Sequence, residues 1–247
     1  MNVYKYYLWS QHYDIENNEI EQIIVNGIEL KGKRILEVGC GTGRLTEKIS
    51  KYASHVVALD PCKEAIDFCK KKYSDLTNVD FYITTLDTFD NENIYYDVVV
   101  FSWSMYLIHN KLETLQIAKK MLAPNGKLLI LQASHGEYEE EVAKLYSSYS
   151  SLNSYESANQ ILKSMIFSVF GNASSSLLTC YFTFSSIDEV VNLSLFFIED
   201  EEGMMPSCEK IQSFKDVLAR KFCKSDGKVI MSDVVCMYIA ENNLHIS

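Results

Sequence analysis

The chain has 247 residues, 33 acidic against 23 basic side chains, a formal charge of −10 and a hydrophobic share of 47%. That apolar share suits the core of one large α/β domain. No apolar run approaches the roughly eighteen residues of a membrane span, and the acidic balance speaks against a nucleic-acid partner, which needs clustered Lys and Arg at phosphates. The longest basic run, Lys70-Lys71-Lys72, reads as the solvated face of one helix. The seven cysteines (40, 62, 69, 180, 208, 223 and 236) are odd in number and form no C-x-x-C pair. They read as reduced, mostly buried residues, not as a zinc site or a disulfide frame. The N-terminus lacks a basic segment followed by an apolar one, so the expectation is a cytoplasmic chain without a secretory leader. The sequons at Asn172 and Asn192 are then chance matches.

In chain order, an aromatic-rich N-terminal stretch (Tyr4, Tyr6, Tyr7, Trp9, His12 and Tyr13) is expected to form a helix over about 1–25. Strands and helices then alternate, as a mostly parallel sheet requires. Strands are predicted at 34–38, 55–59, 79–83, 97–101 and 127–131. Helices are predicted at about 43–52, at 62–73 with Ala65, Ile66, Cys69 and Tyr73 inward, and at 110–122 with Leu112, Leu115, Ala118 and Leu122 inward. The run Val98-Val99-Val100-Phe101 is apolar throughout, the mark of a central strand buried on both faces. Ala123-Pro124-Asn125-Gly126 reads as a turn, with Asn125 tolerating positive φ.

Beyond residue 133 the pattern loosens. Amphipathic helices are expected at 136–150 and 155–170, the second carrying Ala158, Ile161, Leu162, Met165 and Val169, with a Ser-rich joint at 147–154. A strand follows at 177–184, then helices at 187–198 and 208–223, the latter burying Ile211, Phe214, Leu218 and Phe222. A solvated acidic loop at 199–203 and a last strand at about 229–240 complete the reading. The fold class is α/β, a doubly wound, mostly parallel seven-stranded sheet with a helical insertion. The chain is read as one domain, 1–247, with a core at about 30–133 and an insertion plus C-terminal strands at about 134–247.

The segment that carries chemistry is Arg34-Ile35-Leu36-Glu37-Val38-Gly39-Cys40-Gly41-Thr42-Gly43, with Asp60 seventeen residues after the last glycine. A strand here ends in a carboxylate and a loop with glycine at every second position, then a helix. Such glycines let the backbone approach a ligand and turn sharply, and ligands in open α/β sheets sit at the carboxyl ends of strands. A dinucleotide fingerprint would need its third glycine at the position of Arg44. Glu37 also suits an ammonium better than a pyrophosphate.

The run Glu37-Val38-Gly39-Cys40-Gly41-Thr42-Gly43 resembles motif I of the class I S-adenosylmethionine-dependent methyltransferases. The resemblance is specific over 34–131 and topological beyond. It implies that the loop cradles the methionyl end of S-adenosylmethionine, leaving S-adenosylhomocysteine as product, and that Asp60, followed by Pro61, bonds the ribose hydroxyls. A carboxylate can accept both of those protons. Thr84-Thr85-Leu86-Asp87 stands where the family contacts adenine. Relatives often place Asp at the position of Thr85, so Thr85 or Asp87 would read the amino group and the Leu86 amide the ring. Ser102 and Trp103, after the fourth strand, would face the methyl donor, Trp103 by cation–π attraction to the sulfonium.

Tyr13-Asp14 looks like the Tyr-Asp pair of a helix that closes over the cofactor in small-molecule relatives. Tyr13 and His109 are the candidate catalytic residues, His109 because its ordinary pKa lies near neutrality. Trp103, Tyr106, Tyr149 and Tyr181 are the candidate substrate residues, with His109 beside them. No metal-ligand cluster is read, and the segment after the fourth strand lacks the N-P-P-Y or D-P-P-Y run of enzymes that methylate amino groups of nucleic acids. The expected function is methyl transfer to N or O of a small molecule or short peptide by a monomer or homodimer. A non-catalytic S-adenosylmethionine-binding module, a tRNA-modifying methyltransferase and a nicotinamide dehydrogenase with an irregular loop stay open at this point.

Overall fold

A computed structural model of the chain describes residues 3–12, 19–90, 94–134, 136–145, 153–202 and 205–243. The elements run α1 (Val3–Ser10), α2 (Glu19–Val25), β1 (Arg34–Val38), α3 (Arg44–Ser50), β2 (His55–Asp60), α4 (Lys63–Lys72), β3 (Val79–Ile83) and β4 (Tyr96–Ser102). A short 3-10 turn (Met105–Leu107) follows. Then come α5 (Lys111–Met121), β5 (Leu122–Ala133), α6 (Glu137–Ala143), α7 (Asn153–Phe170), β6 (Ser174–Phe184), α8 (Ile187–Glu202), α9 (Cys208–Lys221) and β7 (Val229–Glu241).

The strands form one seven-stranded sheet in the order β3-β2-β1-β4-β5-β7-β6. β1 lies parallel to β2 and β4, β2 to β3, and β4 to β5. The order reverses direction at β1, between β2 and β4, the switch point where open α/β sheets bind ligands. The predicted doubly wound, mostly parallel sheet is thus observed.

The chain separates into two compact units. The first comprises residues 20–133, 158–178 and 236–247. Its core joins Leu36, Val57, Leu59, Val99, Phe101, Leu128 and Ile130 of the parallel strands to Leu115 and Ala118 of α5, to Leu162, Ile166 and Phe170 of α7, and to Tyr238. On the other side of the sheet Ala58 and Phe81 pack with Ile66, Cys69 and Tyr73. The second unit comprises residues 1–19, 134–157 and 179–235. Its center is an aromatic layer: Phe182 lies 4.2 Å from Tyr138 and 5.2 Å from Trp9 between ring centroids, and Phe184 lies 5.8 Å from Tyr138. Trp9 Nε1 donates to the Tyr138 hydroxyl at 2.9 Å. In the same unit Asp233 of β7 is fully buried. It stands so close to Gly136 that a Cβ there would lie 2.4 Å from Asp233 Oδ1. Burial pushes this carboxyl up to about 7.

Several expectations require correction. The N-terminal segment holds two short helices in its described residues, not one. Leu112 and Ile161 are 42% and 57% exposed and line a shallow groove with Met165, while the inward stripe of α5 runs through Leu115, Ala118 and Met121. The turn at 123–126 is absorbed into β5 because Asn242 pairs with it: Asn125 N–H donates to Asn242 O and Asn242 N–H donates to Gly126 O. Asn125 does take positive φ, 61°. The acidic run 199–202 continues α8 instead of forming a loop, since Glu is a good helix former and no breaker precedes Gly203. Gly203 and residues 147–152 of the Ser-rich joint lie outside the described residues, and no described helix is long and apolar enough to cross a membrane.

Candidate active site

The loop between β1 and α3 is shaped by backbone geometry that only glycine adopts cheaply. Gly39, Gly41 and Gly43 have φ of 76°, 53° and 77°, in the region where a Cβ costs about 1–2 kcal/mol. Space is equally tight: a Cβ on Gly39 would lie 2.4 Å from Ser104 Cβ, and one on Gly43 2.6 Å from Tyr73 Cε2. The N–H groups of Gly39 and Cys40 both donate to Leu59 O, at 2.8 and 2.9 Å, tying the loop to the end of β2. Ser104 Oγ donates to Val38 O at 2.6 Å, and the Tyr73 hydroxyl donates to Thr42 O at 3.3 Å.

Asp60 closes β2 with its carboxylate held from two sides. Gly41 N–H donates to Oδ2 at 2.9 Å and Cys62 N–H donates to Oδ1 at 2.8 Å. Each oxygen keeps lone-pair capacity for one further donor, so the carboxylate is aimed and still able to accept a pair of hydroxyls. This half-buried group beside a loop with glycine at every second position fits the ribose and methionyl ends of S-adenosylmethionine. Thr42 Oγ1 is buried with no hydrogen-bond partner among the described residues. Pro61, next in sequence, is exposed.

Glu37 is buried, and Thr46 Oγ1 donates to its Oε2 at 2.6 Å. The charge expected to point into the turn is therefore met from within α3. A hydrogen bond with Cys69, then burial and the carboxylates of Glu37 and Asp60, push the Cys40 thiol well up, so Cys40 behaves as a packing residue and not as a nucleophile. All seven cysteines are free.

Past β3, Leu86 is buried while Thr85 and Asp87 are exposed. The Thr85 hydroxyl shares a hydrogen bond with that of Thr88 at 2.8 Å, and Thr84 N–H donates to Asp60 O at 3.2 Å, which sets this loop beside the end of β2. At the end of β4, Ser102 is buried and accepts from Arg44 at 3.1 Å. Trp103 holds φ of 56°, and its N–H donates to Leu131 O at 2.8 Å. That left-handed backbone is uncommon for a residue other than glycine. Tyr106 is 53% exposed, and His109 is exposed one residue before Asn110, the N-cap of α5.

The structure thus brings Glu37, Gly39, Cys40, Gly41, Thr42, Gly43, Asp60 and the 84–87 loop together at the carboxyl ends of β1, β2 and β3, with Ser102 and Trp103 at the end of β4. Tyr181 lies on β6 in the second unit, 44% exposed. Tyr13 and Tyr149 lie outside the described residues. Sequence reasoning missed Ser104, Tyr73 and Thr46, none of which has a motif spacing to mark it. Among the described residues there is no group of three or more His, Cys, Asp and Glu side chains placed to hold a metal ion.

Residues 29–245 match the family model described as a methyltransferase domain. A ubiquinone/menaquinone biosynthesis C-methyltransferase of Vibrio parahaemolyticus is 30% identical over 125 residues, 48% of each chain. The mitochondrial ubiquinone biosynthesis O-methyltransferase of Rattus norvegicus is 32% identical over 109 residues, 42% of this chain and 32% of that one. The chain therefore spans about half the length, or less, of these curated relatives. Among solved structures, a protein described as a methyltransferase from Bacillus halodurans superposes with a TM-score of 0.59 at 13% identity, covering 90% of this chain and 97% of that one, a likeness of fold.

Proposed function

The chain belongs to the methyltransferase-domain family, with the class I S-adenosylmethionine-dependent fold, and from that premise we propose that it transfers a methyl group to nitrogen or oxygen of a small molecule or short peptide. The observation that carries the reading is the Asp60 carboxylate, fixed by two backbone N–H groups at the mouth of a loop whose three glycines all have positive φ. S-adenosylmethionine, when bound, supplies an electrophilic methyl group on a sulfonium that departs as a neutral thioether.

The chain's own residues do the holding. The loop from Gly39 to Gly43 gives the methionyl end a surface without side chains at the glycines. Asp60 accepts the ribose hydroxyls, and the backbone N–H of Leu86, with Thr85 or Asp87, reads the adenine. Trp103 presents its ring to the cation. Holding the acceptor in line and close to the methyl group supplies most of the rate. His109 serves as proton acceptor for substrates that do not ionise unaided, and Tyr106 is proposed to touch the acceptor. The charge of −10 supports a neutral or cationic acceptor over a polyanion. The C-methyltransferase among the relatives supports a second reading, in which the acceptor atom is carbon.

Isothermal titration with S-adenosylhomocysteine and, separately, NADH tests the cofactor. Binding of the first and not the second is expected, and the reverse would return the loop to a dinucleotide. Release of S-adenosylhomocysteine in the presence of amine, phenol or quinol acceptors then separates an enzyme from a mere binding module.

A further inference from the structure

Gln132 sits at the carboxyl end of β5, one residue past Leu131. The register sets Ser102 level with Leu131, and Trp103 N–H bonds the Leu131 carbonyl, so Gln132 stands beside the segment that follows β4. Leu128 and Ile130 face the core that α7 covers. Strand alternation puts Gln132 on that same face, where Asn159 of α7 meets it.

Both amides are buried, Gln132 at 6% exposure and Asn159 at 7%. Gln132 Nε2 donates to Asn159 Oδ1. Asn159 Nδ2 donates to Ala133 O at 3.2 Å, and the Tyr238 hydroxyl donates to Asn159 O at 3.2 Å. This chain of bonds settles which way each amide faces. Turning Gln132 over would set its oxygen against Asn159 Oδ1. Turning both would set the Asn159 oxygen against the Ala133 carbonyl. Gln132 Oε1 is therefore an acceptor held in one direction, and it has no hydrogen-bond partner among the described residues. A buried acceptor left without a donor forfeits the hydrogen bonds it had in water. The sheet does not need it, because Nε2 and Asn159 already close the packing bond. The carboxyl end of the strands is also where this fold places ligands.

We propose that Gln132 Oε1 accepts a hydrogen bond from a protic group of the methyl acceptor, a hydroxyl or an amine, and so selects acceptors that carry one. The proposal rests on the methyl-transfer reading above. Sites built around a buried hydrogen-bonding group discriminate strongly, because an analogue without the donor leaves that group unmet.

The test is ligand-detected binding of two probe pairs, phenol against anisole and benzylamine against toluene. Each is measured with saturating S-adenosylhomocysteine on the wild-type protein, Gln132→Met and Gln132→Glu. Wild type is expected to prefer the protic member of at least one pair by about tenfold or more. Gln132→Met abolishes that preference and Gln132→Glu, assayed at a pH where its carboxyl is protonated and donates to Asn159 Oδ1 while its carbonyl oxygen accepts, retains it. S-adenosylhomocysteine affinity stays within about twofold throughout. Equal binding of both members to wild type, a preference that survives in Gln132→Met, or no binding of any probe while S-adenosylhomocysteine binds would each overturn the proposal. Should S-adenosylhomocysteine itself fail to bind wild type, the methyl-transfer reading falls, and this proposal with it. Should Gln132→Met not fold, the wild-type comparison alone decides.

Discussion

The glycine loop of the first unit and the aromatic layer of the second hold their shapes by opposite means. In the loop the backbone does the work: three positive φ values, two N–H groups on one carbonyl, and neighbors so near that a single methyl group has no room. In the layer the side chains do it, with Trp9, Tyr138, Phe182 and Phe184 packed ring on ring. The first region is sensitive to added atoms and the second to removed ones. A region built to receive a ligand leaves side chains out; a region built to stabilise fills its volume with them.

The largest effect that would sharpen this contrast is in the layer. Phe182→Ala removes a 1%-exposed ring and its stacking partners' support, and should cost ~3–5 kcal/mol of unfolding free energy by denaturant titration. Affinity of the remaining folded protein for S-adenosylhomocysteine is expected to be little changed; a large loss would tie the layer to the cofactor. Next comes Gly39→Ala. The strain of φ 76° and the contact with Ser104 together suggest ~3 kcal/mol, read as a loss of about a hundredfold in S-adenosylhomocysteine affinity. Adding Ser104→Gly should recover part of it, and no recovery would show that φ alone matters. Asp60→Ala should weaken the same affinity by roughly 2–3 kcal/mol, the worth of a charge-assisted pair of hydrogen bonds. Unchanged affinity would refute the ribose assignment.

A smaller effect concerns pH. Asp233, ordinarily near 3.8, is raised to about 7 when folded. Between about pH 4 and 7 the folded state therefore binds more protons than the unfolded one, and stability falls as pH rises, levelling off above the folded value. Asp233→Asn should flatten that slope. It should also leave the protein ~1–3 kcal/mol more stable at pH 8, since each tenfold change in proton affinity is worth ~1.4 kcal/mol. A stability profile in Asp233→Asn that parallels the wild type would place the pH dependence elsewhere.

What was legible in the amino-acid sequence was what is local in it. Glycine spacing sets the loop's φ values within five residues, and a carboxylate ending the next strand needs only the alternation of strand and helix to be placed. What was hidden depends on residues brought together by the sheet. Ser104 reaches the Val38 carbonyl across 66 residues, Tyr73 the Thr42 carbonyl across 31, and Gln132 meets Asn159 across 27. The same reason explains the misplaced boundary at 123–126, where a proline and a glycine read as a turn until the partner strand supplies its own bonds. Trp103 was singled out for its ring, yet the left-handed backbone that turns the chain after β4 carries no signature, because side-chain type gives no warning of it outside Gly and Asn.

Asn242 has a consequence for how the molecule is made. Its amide nitrogen donates to Leu122 O and Ala123 O, at 3.1 and 3.3 Å, across 120 and 119 residues. Its backbone bonds Asn125 and Gly126 as well. The junction of α5 and β5 is thus capped by a residue synthesised about half the chain later. On the ribosome, β1 to β5 emerge in order and can pair as they come, but the entry to β5 keeps bare carbonyls until residue 242 arrives. Closing this seam joins residues some 120 positions apart, a non-local contact of the kind that raises contact order and slows folding.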